Sequence, residues 1–447
     1  MVITMAGYNT LSTLLTEELD QLFEEGRAID KEAFRTRIAS AESKEQLMAL
    51  YHELQALPMR EDYPYCEPSL LAEIEAQSDA STLQKSHADT REDDFYGAWL
   101  GRCIGCAWGQ PVEGWRSEDI VTWYKEAGKY PIRSYVPTVS GGRRNEGPAT
   151  DEKICGMPLD DDTRFTVLYY LLVREKGTAF DSWDVGDHWS RKLPFRFVCT
   201  AENQAYLNFL NIDQCTPWCK PHGAVELLRE AKVNTYLNPY REWIGAQIRC
   251  DAFAYLAAGD PLAASRMAHA DAYFSHAGNG IYGEMFFAAL IAAAFTEKDI
   301  NVCFETALAV VPRKSRFYET AVWARDLAKS DLSRHALLDT LLTFSKTYNW
   351  VHTLNNAAFC IAAITRYSHD FRRAVAFAVE CGLDTDCNGA TVGSFMGAFL
   401  GKQGIPEDLS APLQDTFSVG VAPYDHYSIR SFAREVKALH DTKDEPI

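Results

Sequence analysis

Two acidic segments are the parts of this chain whose residue types and spacing could do chemistry. The segment Asp384–Asp386 follows an apolar helical pattern that ends at Gly382, and alternate side chains in such a tight connection can converge on one point. The segment Asp160–Thr163 contains three successive aspartates and leads into a second apolar helical pattern. One aspartate there would be explained as a helix cap, but adjacent carboxylates repel each other unless a cation lies among them. Clustered carboxylates predict a hard divalent cation, Mg²⁺ or Mn²⁺, rather than Zn²⁺.

Two glycine ladders are the elements that must position these carboxylates. In the first ladder, glycine recurs at every fourth residue from 97 to 109, and the next step of the series is Glu113. In the second ladder, glycine recurs at the same spacing from 389 to 401. Glycine costs about 1 kcal/mol relative to alanine inside a helix, so both ladders require compensating contacts. We predict that the ladders pack near each other and deliver Glu113 to Asp384 and Asp386, where its carboxylate could accept a proton from water.

A third segment of interest is the connector that runs from Tyr273 to Glu284. It contains Ser275, His276, Asn279, Gly280 and Tyr282, which offer backbone amides, an imidazole and a stacking ring. Such groups suit a ribose or phosphate ligand. A glycine-rich turn with a surface histidine explains the composition equally well.

Together these motifs resemble the ADP-ribosylglycohydrolase family, from about Phe95 to about Gly401. The family includes hydrolases that remove ADP-ribose from arginine or serine and the enzyme that reactivates dinitrogenase reductase. Its early glycine ladder ends in a glutamate, as here at Glu113, and its Thr-Asp-Asp-Thr motif is similar to residues 160–163. Its Ser-His connector and Asp-x-Asp motif resemble residues 275–276 and 384–386. The segment Ile244–Arg249 stands where the family carries Asn-Gly-Ala-x-Met-Arg against ADP-ribose.

This resemblance implies a hydrolase that holds two divalent cations and cleaves the ribosyl C1 N- or O-glycosidic bond of a small-molecule or protein-linked ADP-ribosyl substrate. The implied metal ligands are Asp160, Asp161, Asp162, Asp384 and Asp386, and the implied catalytic residues are Glu113, Asp161 and Asp386. The implied substrate-binding residues are Arg249, Ser275, His276, Asn279, Gly280 and Tyr282.

Three positions depart from the family pattern: Asp160 replaces a ligating threonine, Cys387 a threonine or serine, and Ile244 an asparagine. A thiol is a poor ligand for Mg²⁺, so the pattern predicts a retained metal site with altered ligation. Two alternatives stay open. The same fold and metals could act on another N- or O-glycoside, such as a nucleoside or small sugar conjugate, or the chain could bind ADP-ribose without catalysis.

Helical periodicity dominates the chain and predicts an all-α fold, with the orthogonal helical bundle that the family resemblance implies. We expect residues 1–90 to form an N-terminal helical accessory region and residues 91–447 the catalytic domain. Within these, the spacing predicts one helix over Lys31–Leu57 and another over Trp243–Ala258. The segment Ser78–Asp94 is polar and predicts a linker.

Composition limits the partners and the compartment. The formal net charge of −18 disfavours binding to nucleic acid or to an anionic membrane. The start of the chain has no signal-peptide pattern, and no apolar run approaches the ~18 residues of a membrane span. Twelve cysteines without a signal pattern predict reduced thiols and a cytoplasmic protein. Cys103-x-x-Cys106 and Cys215-x-x-x-Cys219 are the candidate zinc half-sites, for which buried thiols are the favoured interpretation.

Overall fold

The computed structural model describes residues 9–86, 88–138, 147–212 and 220–442, and α-helices dominate these segments. The helices are, in chain order, α1 Leu11–Glu24, α2 Lys31–Ser40, α3 Lys44–Gln55, α4 Leu71–Ala76, α5 Glu92–Gly109, α6 Ser117–Glu126, α7 Asp161–Lys176, α8 Ser182–Lys192, α9 Thr200–Leu210, α10 Ala224–Glu230, α11 Asp251–Leu256, α12 Pro261–Ser275, α13 Asn279–Ala294, α14 Ile300–Leu308, α15 Arg316–Lys329, α16 Arg334–Ser345, α17 Thr353–Arg366, α18 Phe371–Cys381, α19 Thr385–Leu400, α20 Glu407–Ser410 and α21 Ile429–Thr442.

Strand structure is confined to one short antiparallel pair in the described segments. Strand β1, Thr416–Phe417, pairs with strand β2, Tyr427–Ser428, so that Thr416 lies opposite Ser428. The prediction of an all-α fold is therefore confirmed. Among the described helices, none has the length and apolar character needed to cross a membrane.

Helices α5 and α19 form the centre of the fold, because the two glycine ladders pack against each other. Gly97 lies against Gly397 and Gly109 against Thr385, which makes the pair antiparallel. A Cβ atom added at Gly105 would lie only 1.9 Å from the carbonyl oxygen of Gly389. The bare backbones therefore touch along the whole pair, and the predicted packing of the ladders is confirmed.

The N-terminal helices share an apolar cluster with the rest of the chain. Buried leucines of α1 and α3 pack with Phe34 and Ile38 of α2, and the same cluster, which we call the N-terminal cluster, includes Ala201, Leu237 and Tyr240. Helices α1 to α3 thus do not close their core alone. The described residues between 78 and 91 contain a single short 3-10 turn, Ala80–Thr82, before α5 begins.

Two helix predictions were wrong in their extent. The pattern over Lys31–Leu57 is two helices, because the backbone leaves the helical region at Ala41 and the Ser43 hydroxyl accepts a hydrogen bond from the Gln46 amide to begin α3. The pattern over Trp243–Ala258 is helical only from residue 247 onward. There the Ile244 amide donates instead to the carbonyl of Val351, so tertiary pairing overrides local preference.

Candidate metal centre

The beginning of α19 carries the first half of the acidic site. Gly382 adopts φ +79° and ends α18, and Asp384 occupies the position just before α19. The Thr385 hydroxyl donates to the carbonyl of Gly109 at 2.8 Å, which joins the start of α19 to the end of the first ladder. As a result, one carboxylate oxygen from each of Glu113, Asp384 and Asp386 lies within 4.8 Å of the other two. The prediction that the ladder brings Glu113 to this segment is confirmed.

The beginning of α7 carries the second half. Asp160 caps this helix, since its Oδ1 accepts from the Asp162 amide at 2.9 Å while its Oδ2 accepts from Gln110 Nε2 at 2.7 Å. Asp161 and Asp162 form the first turn. Asp160 is buried and its two oxygens are already partnered, so capping accounts for this residue. Asp161 and Asp162 line the same cavity as Asp384 and Asp386, whereas Asp160 does not.

Arg102 anchors the second half to α5 from inside the fold. It projects from α5, is completely buried, and its Nη2 donates to the backbone carbonyl of Asp162 at 2.6 Å and approaches the Asp162 carboxylate at 3.3 Å. Its Nη1 pairs with Asp251 at 2.6 Å. The sequence signal for this role was a charged residue inside an otherwise apolar glycine ladder.

One cavity of about 260 Å³ opens onto both acidic segments. We call five of its six carboxylates, Glu113, Asp161, Asp162, Asp384 and Asp386, the acidic cluster, and residues 243–245 with 350–351 the aromatic wall. Residues 198–200, Glu202, Phe165 and Ile248 complete the lining. The arrangement sets a group of five carboxylates beside two tryptophans, Trp243 and Trp350.

Burial and mutual repulsion make ionisation of the acidic cluster unfavourable. Burial, followed by the neighbouring charges of Asp384, Asp160 and Asp161, raises the pKa of Glu113 to about 8, although part of this side chain is open to solvent. Burial and the adjacent Asp160 raise the pKa of Asp161 to about 7. Burial also raises the pKa of the other three members, Asp162, Asp384 and Asp386. Positive charge placed among these groups would reverse the effect.

The donor set of the cluster fits hard divalent cations. It consists of carboxylate oxygens, which Mg²⁺ and Mn²⁺ prefer; four come from the N-terminal ends of α7 and α19, and Glu113 follows the end of α5. Asp386 Oδ1 is buried without a hydrogen-bond partner. An unpartnered buried carboxylate oxygen is costly unless a ligand satisfies it, so this atom favours a cation at the site.

We expect stabilisation by Mg²⁺ to grow as pH rises from about 5 to about 8. The raised pKa values of Glu113 and Asp161 mean that the native metal-free protein holds protons that the unfolded chain has released, so the free energy of unfolding falls as pH rises through this window. Mg²⁺ competes with those protons. Once the carboxylates ionise, the bound cation offsets their repulsion, so the free energy of unfolding no longer falls. The difference in Tm between Mg²⁺ and a chelator should widen by about 3 °C or more across the window.

The difference between the two conditions cancels contributions from titrating groups elsewhere. His188, for example, has its pKa lowered to about 4 by burial and titrates alike with and without Mg²⁺. A Tm difference that stays constant or narrows toward pH 8 would contradict the assignment of a cation to the acidic cluster.

The predicted substrate-binding residues Arg249, Ser275 and His276 lie one layer behind the cavity. Arg249 is completely buried and pairs with Glu202 at 2.9 Å and with Asp271 at 2.6 Å, and it donates to the Ser275 hydroxyl. Ser275 Oγ and His276 Nδ1 are 2.8 Å apart. Burial and the charge of Arg249 lower the pKa of His276, which favours a neutral imidazole. Of these residues Arg249 holds Glu202, and Glu202 reaches the cavity.

Asn279, Gly280 and Tyr282 are not brought to the cavity either. They belong to the first turn of α13. Asn279 Nδ2 donates to Glu242 at 2.6 Å, and the Tyr282 hydroxyl donates to the carbonyl of Pro68. A Cβ at Gly280 would lie 2.5 Å from the carbonyl oxygen of Arg241. Their observed contacts are within the protein, so substrate contact by these three stays a prediction without geometric support.

Sequence reasoning missed several residues that build the site. Glu202 comes from α9, where the only signal was that it is the one acidic residue of that helix. Trp243 and Trp350 stand in segments without a recognisable motif. Asn356 joins the two sides of the cavity, because its Nδ2 donates to the carbonyls of Trp350 and His352 while its Oδ1 accepts from the Asn388 side chain at 2.8 Å.

Three cysteines near the site are buried thiols, whereas Cys199, which lines the cavity, is exposed. Cys103 and Cys106 are free and buried on α5, as predicted, and burial raises the pKa of both. The Cys106 sulfur lies within 4.8 Å of carboxylate oxygens of Asp160 and Asp162. Cys387 is fully buried and does not line the cavity. The pair Cys215 and Cys219 lies outside the described residues.

Comparison with known proteins agrees with the motifs. The sequence profile of the ADP-ribosylglycohydrolase family matches residues 87–446. A comparison with curated protein sequences finds no match. Among solved structures, a chain of an "ADP-ribosylglycohydrolase-related protein complex" shares 18% identity at a TM-score of 0.47, covering 79% of this chain and 99% of that chain. Because the profile spans well over half of the sequence, the chain belongs to the ADP-ribosylglycohydrolase family.

Proposed function

We propose that this glycohydrolase is a metal-dependent enzyme that cleaves the ribosyl C1 N- or O-glycosidic bond of an ADP-ribosylated substrate. The observation that carries the proposal is the convergence of five carboxylates on one cavity that also has an aromatic wall. Carboxylates beside a glycosidic bond are the groups that glycoside hydrolysis requires, since the reaction passes through an oxocarbenium-like transition state.

Four aspartates are the proposed metal ligands, and their roles follow from their positions. Asp161 and Asp162 would hold cations from the α7 side, and Asp384 and Asp386 from the α19 side. Two bound Mg²⁺ or Mn²⁺ ions would orient ribose hydroxyls and lower the pKa of the attacking water. Asp160, already partnered on both oxygens, holds the turn at the start of α7 instead.

Glu113 is the proposed general base. Its carboxylate reaches the cavity from the end of the first ladder and lies beside Asp384 and Asp386. Water would form the new C1–O bond and lose its proton to Glu113. The bond from C1 to the leaving group breaks with its electron pair on the leaving atom, which takes up a proton from solvent, and Glu113 later returns its proton to solvent. Trp243 and Trp350 offer flat apolar surfaces for the ribose and the groups attached to it.

The cavity volume favours one alternative substrate class. About 260 Å³ lies just below the ~300–1,000 Å³ of typical ligand pockets, so the cavity encloses only part of an ADP-ribosyl group. A nucleoside or small sugar conjugate would fill it more completely. The same residues would perform the same bond cleavage on that substrate.

Release of ADP-ribose tests the proposal and separates these alternatives. Proteins ADP-ribosylated on arginine or on serine would be incubated with the enzyme and Mg²⁺, alongside a panel of nucleosides, and products would be separated by chromatography. Free ADP-ribose as the product supports the proposal, whereas cleavage of nucleosides alone supports the smaller substrate. Turnover of either class that persists in excess chelator would contradict metal dependence.

Glu113→Gln is expected to lower kcat by about 10²- to 10⁴-fold, because the amide cannot accept the proton from water. Mg²⁺ should still raise Tm in this variant, since the four aspartates remain. The measurement is steady-state turnover together with Mg²⁺-dependent Tm. Glu126→Gln, the same change at an exposed position on α6, is the matched control. Wild-type kcat in Glu113→Gln would assign the proton transfer to another group.

A further inference from the structure

Helix α1 lies against the back of the aromatic wall, although the family profile begins only at residue 87. Glu18 and Gln21 are buried, and Glu25, just after the last residue of α1, is partly buried. Their spacing of three and four residues places them on one face. A polar stripe on the inward face of a helix requires partners. Gln55 of α3 donates to Glu18, and the partners outside the N-terminal helices are Arg241 and Glu242, which continue directly into the wall.

The first partner is Arg241, two residues before Trp243. Its Nη1 pairs with Glu18 at 2.8 Å, and its Nε and Nη2 donate to Glu25 at 2.7 and 2.8 Å. The backbone carbonyl of Arg241 accepts from the Ala277 amide at 3.0 Å. The guanidinium is therefore held from two sides by α1 in a fixed fork geometry.

The second partner is Glu242, the residue directly before the wall. Gln21 Nε2 donates to its carboxylate at 2.9 Å, and Arg316 Nη2 donates to it at 2.8 Å. Its backbone carbonyl accepts from the Thr353 amide at 3.0 Å, which links it to the other segment of the wall. His352 Nε2 lies 3.5 Å from Glu24, so that segment also contacts the end of α1.

Apolar packing connects the same elements. Trp243 lines the cavity and also packs on the N-terminal cluster, and its ring lies 4.5 Å from that of Tyr240. Ala201 belongs to this cluster as well and stands between Thr200 and Glu202, both of which line the cavity. The N-terminal helices thus contact two sides of the cavity from behind.

The charged contacts indicate that α1 fixes the position of the backbone at residues 241–242 and does not merely cover it. Burying Glu18, Arg241 and Glu242 carries a desolvation cost that apolar side chains of similar size would avoid. Directional hydrogen bonds, unlike apolar contacts, fix one register of the backbone that bears them. The backbone so fixed is residues 241–242, and it continues directly into the aromatic wall.

We propose that α1 is a positioning element for substrate recognition, which holds the aromatic wall at the distance from the acidic cluster that the ligand requires. This inference rests on the proposed function for the identity of the ligand. It assigns a role to an N-terminal region that precedes the family match. Loosening α1 should weaken ligand binding and leave binding of Mg²⁺ intact, because Arg102 and the glycine ladders hold the acidic cluster independently.

Two variants loosen α1 in different ways. Glu25→Ala removes two hydrogen bonds to Arg241 at a partly exposed position, where water can refill the space. Gln21→Leu keeps the size of the side chain but removes the donor to Glu242. Glu25→Gln retains one acceptor and should recover part of the loss. Glu53→Ala breaks the exposed pair with Arg37 in the same N-terminal region and serves as the control.

The readouts are calorimetric binding of ADP-ribose with Mg²⁺, Mg²⁺-dependent Tm, and hydrogen exchange at the amides of Ile244 and Thr353. In the Glu25→Ala and Gln21→Leu variants, the Kd for ADP-ribose should rise about fivefold or more, with faster exchange at both amides and an unchanged Mg²⁺ effect. The control should match the wild type. If Glu25→Ala does not fold, Gln21→Leu carries the same comparison.

Two results would overturn the inference: unchanged exchange at both amides, or faster exchange with an unchanged Kd for ADP-ribose. Wild-type protein that does not bind ADP-ribose would overturn the proposed substrate instead. In that case exchange at Ile244 and Thr353 still decides whether α1 holds the wall, so the two failures are distinguishable.

Discussion

Asp386→Asn is expected to lower turnover on the order of 10³-fold or more while stabilising the metal-free fold. Asp386 is 4% exposed, its Oδ1 has no hydrogen-bond partner, and burial beside Glu113 and Asp384 raises its pKa. Replacing this carboxylate with a neutral amide removes the repulsion, which should increase the free energy of unfolding without metal by about 1–3 kcal/mol. The same change removes a ligand for cations, so function and stability should move in opposite directions.

The measurement is turnover with saturating Mg²⁺, together with Tm at pH 8 in chelator and in Mg²⁺. We expect a higher Tm than wild type in chelator and a smaller gain from Mg²⁺. Asp299→Asn is the matched control, since Asp299 caps α14 at an exposed position and its Oδ1 accepts from the Asn301 amide at 2.8 Å. Loss of Tm in chelator for Asp386→Asn would mean that the carboxylate supports the fold rather than a cation.

The acidic cluster was predictable because its parts are local motifs with strong physical constraints. Successive aspartates before α7 and the alternate aspartates before and in α19 are costly without a ligand, and each can be recognised within a few residues. The pairing of the two ladders was predictable for a different reason. Glycine at every fourth residue is so unfavourable in a helix that it indicates a close backbone contact.

The aromatic wall was not predictable because long-range pairing forms it. Residues 243–245 carry a helical pattern, yet the Ile244 amide bonds to Val351, about a hundred residues away in sequence. Glu202 joins the site because a Cβ at residue 245 would lie 2.1 Å from its carboxylate, so Gly245 permits the approach. Neither the Ile244–Val351 hydrogen bond nor the approach of Glu202 to Gly245 can be recognised from the local spacing of apolar residues.

The difference between local motifs and long-range pairing also explains why the predicted substrate-binding residues lie behind the cavity. Ser275 and His276 stand in a short connector, and such groups suit a ligand or a buried network equally well. Their position was decided by Arg249, whose guanidinium needs buried carboxylates and draws Glu202 and Asp271 around it. A buried arginine therefore organises a supporting layer, and the cavity receives Glu202 in place of the imidazole.

Gly105→Ala is expected to destabilise the fold by about 3 kcal/mol or more, or to prevent folding. Helix propensity alone predicts the opposite sign, since alanine is favoured over glycine by about 1 kcal/mol inside a helix. The added Cβ would lie 1.9 Å from the carbonyl oxygen of Gly389, which is backbone and cannot rotate away. Helices α5 and α19 would have to separate, and the acidic cluster at their shared end would open with them.

Gly97→Ala and Gly147→Ala extend this prediction to a series in which the expected loss of Tm decreases. At Gly97 the Cβ would lie 2.5 Å from the nearest carbonyl oxygen, near the outer end of α5, so the loss of Tm should be smaller than for Gly105→Ala. At Gly147 no atom of the described part of the chain lies within 4 Å of the added Cβ, so the same substitution should leave Tm unchanged. Tm by calorimetry and the Mg²⁺-dependent increase in Tm would be compared across the series. A wild-type Tm for Gly105→Ala would contradict the close packing of the ladders, and with it the physical basis for bringing Glu113 to Asp384 and Asp386.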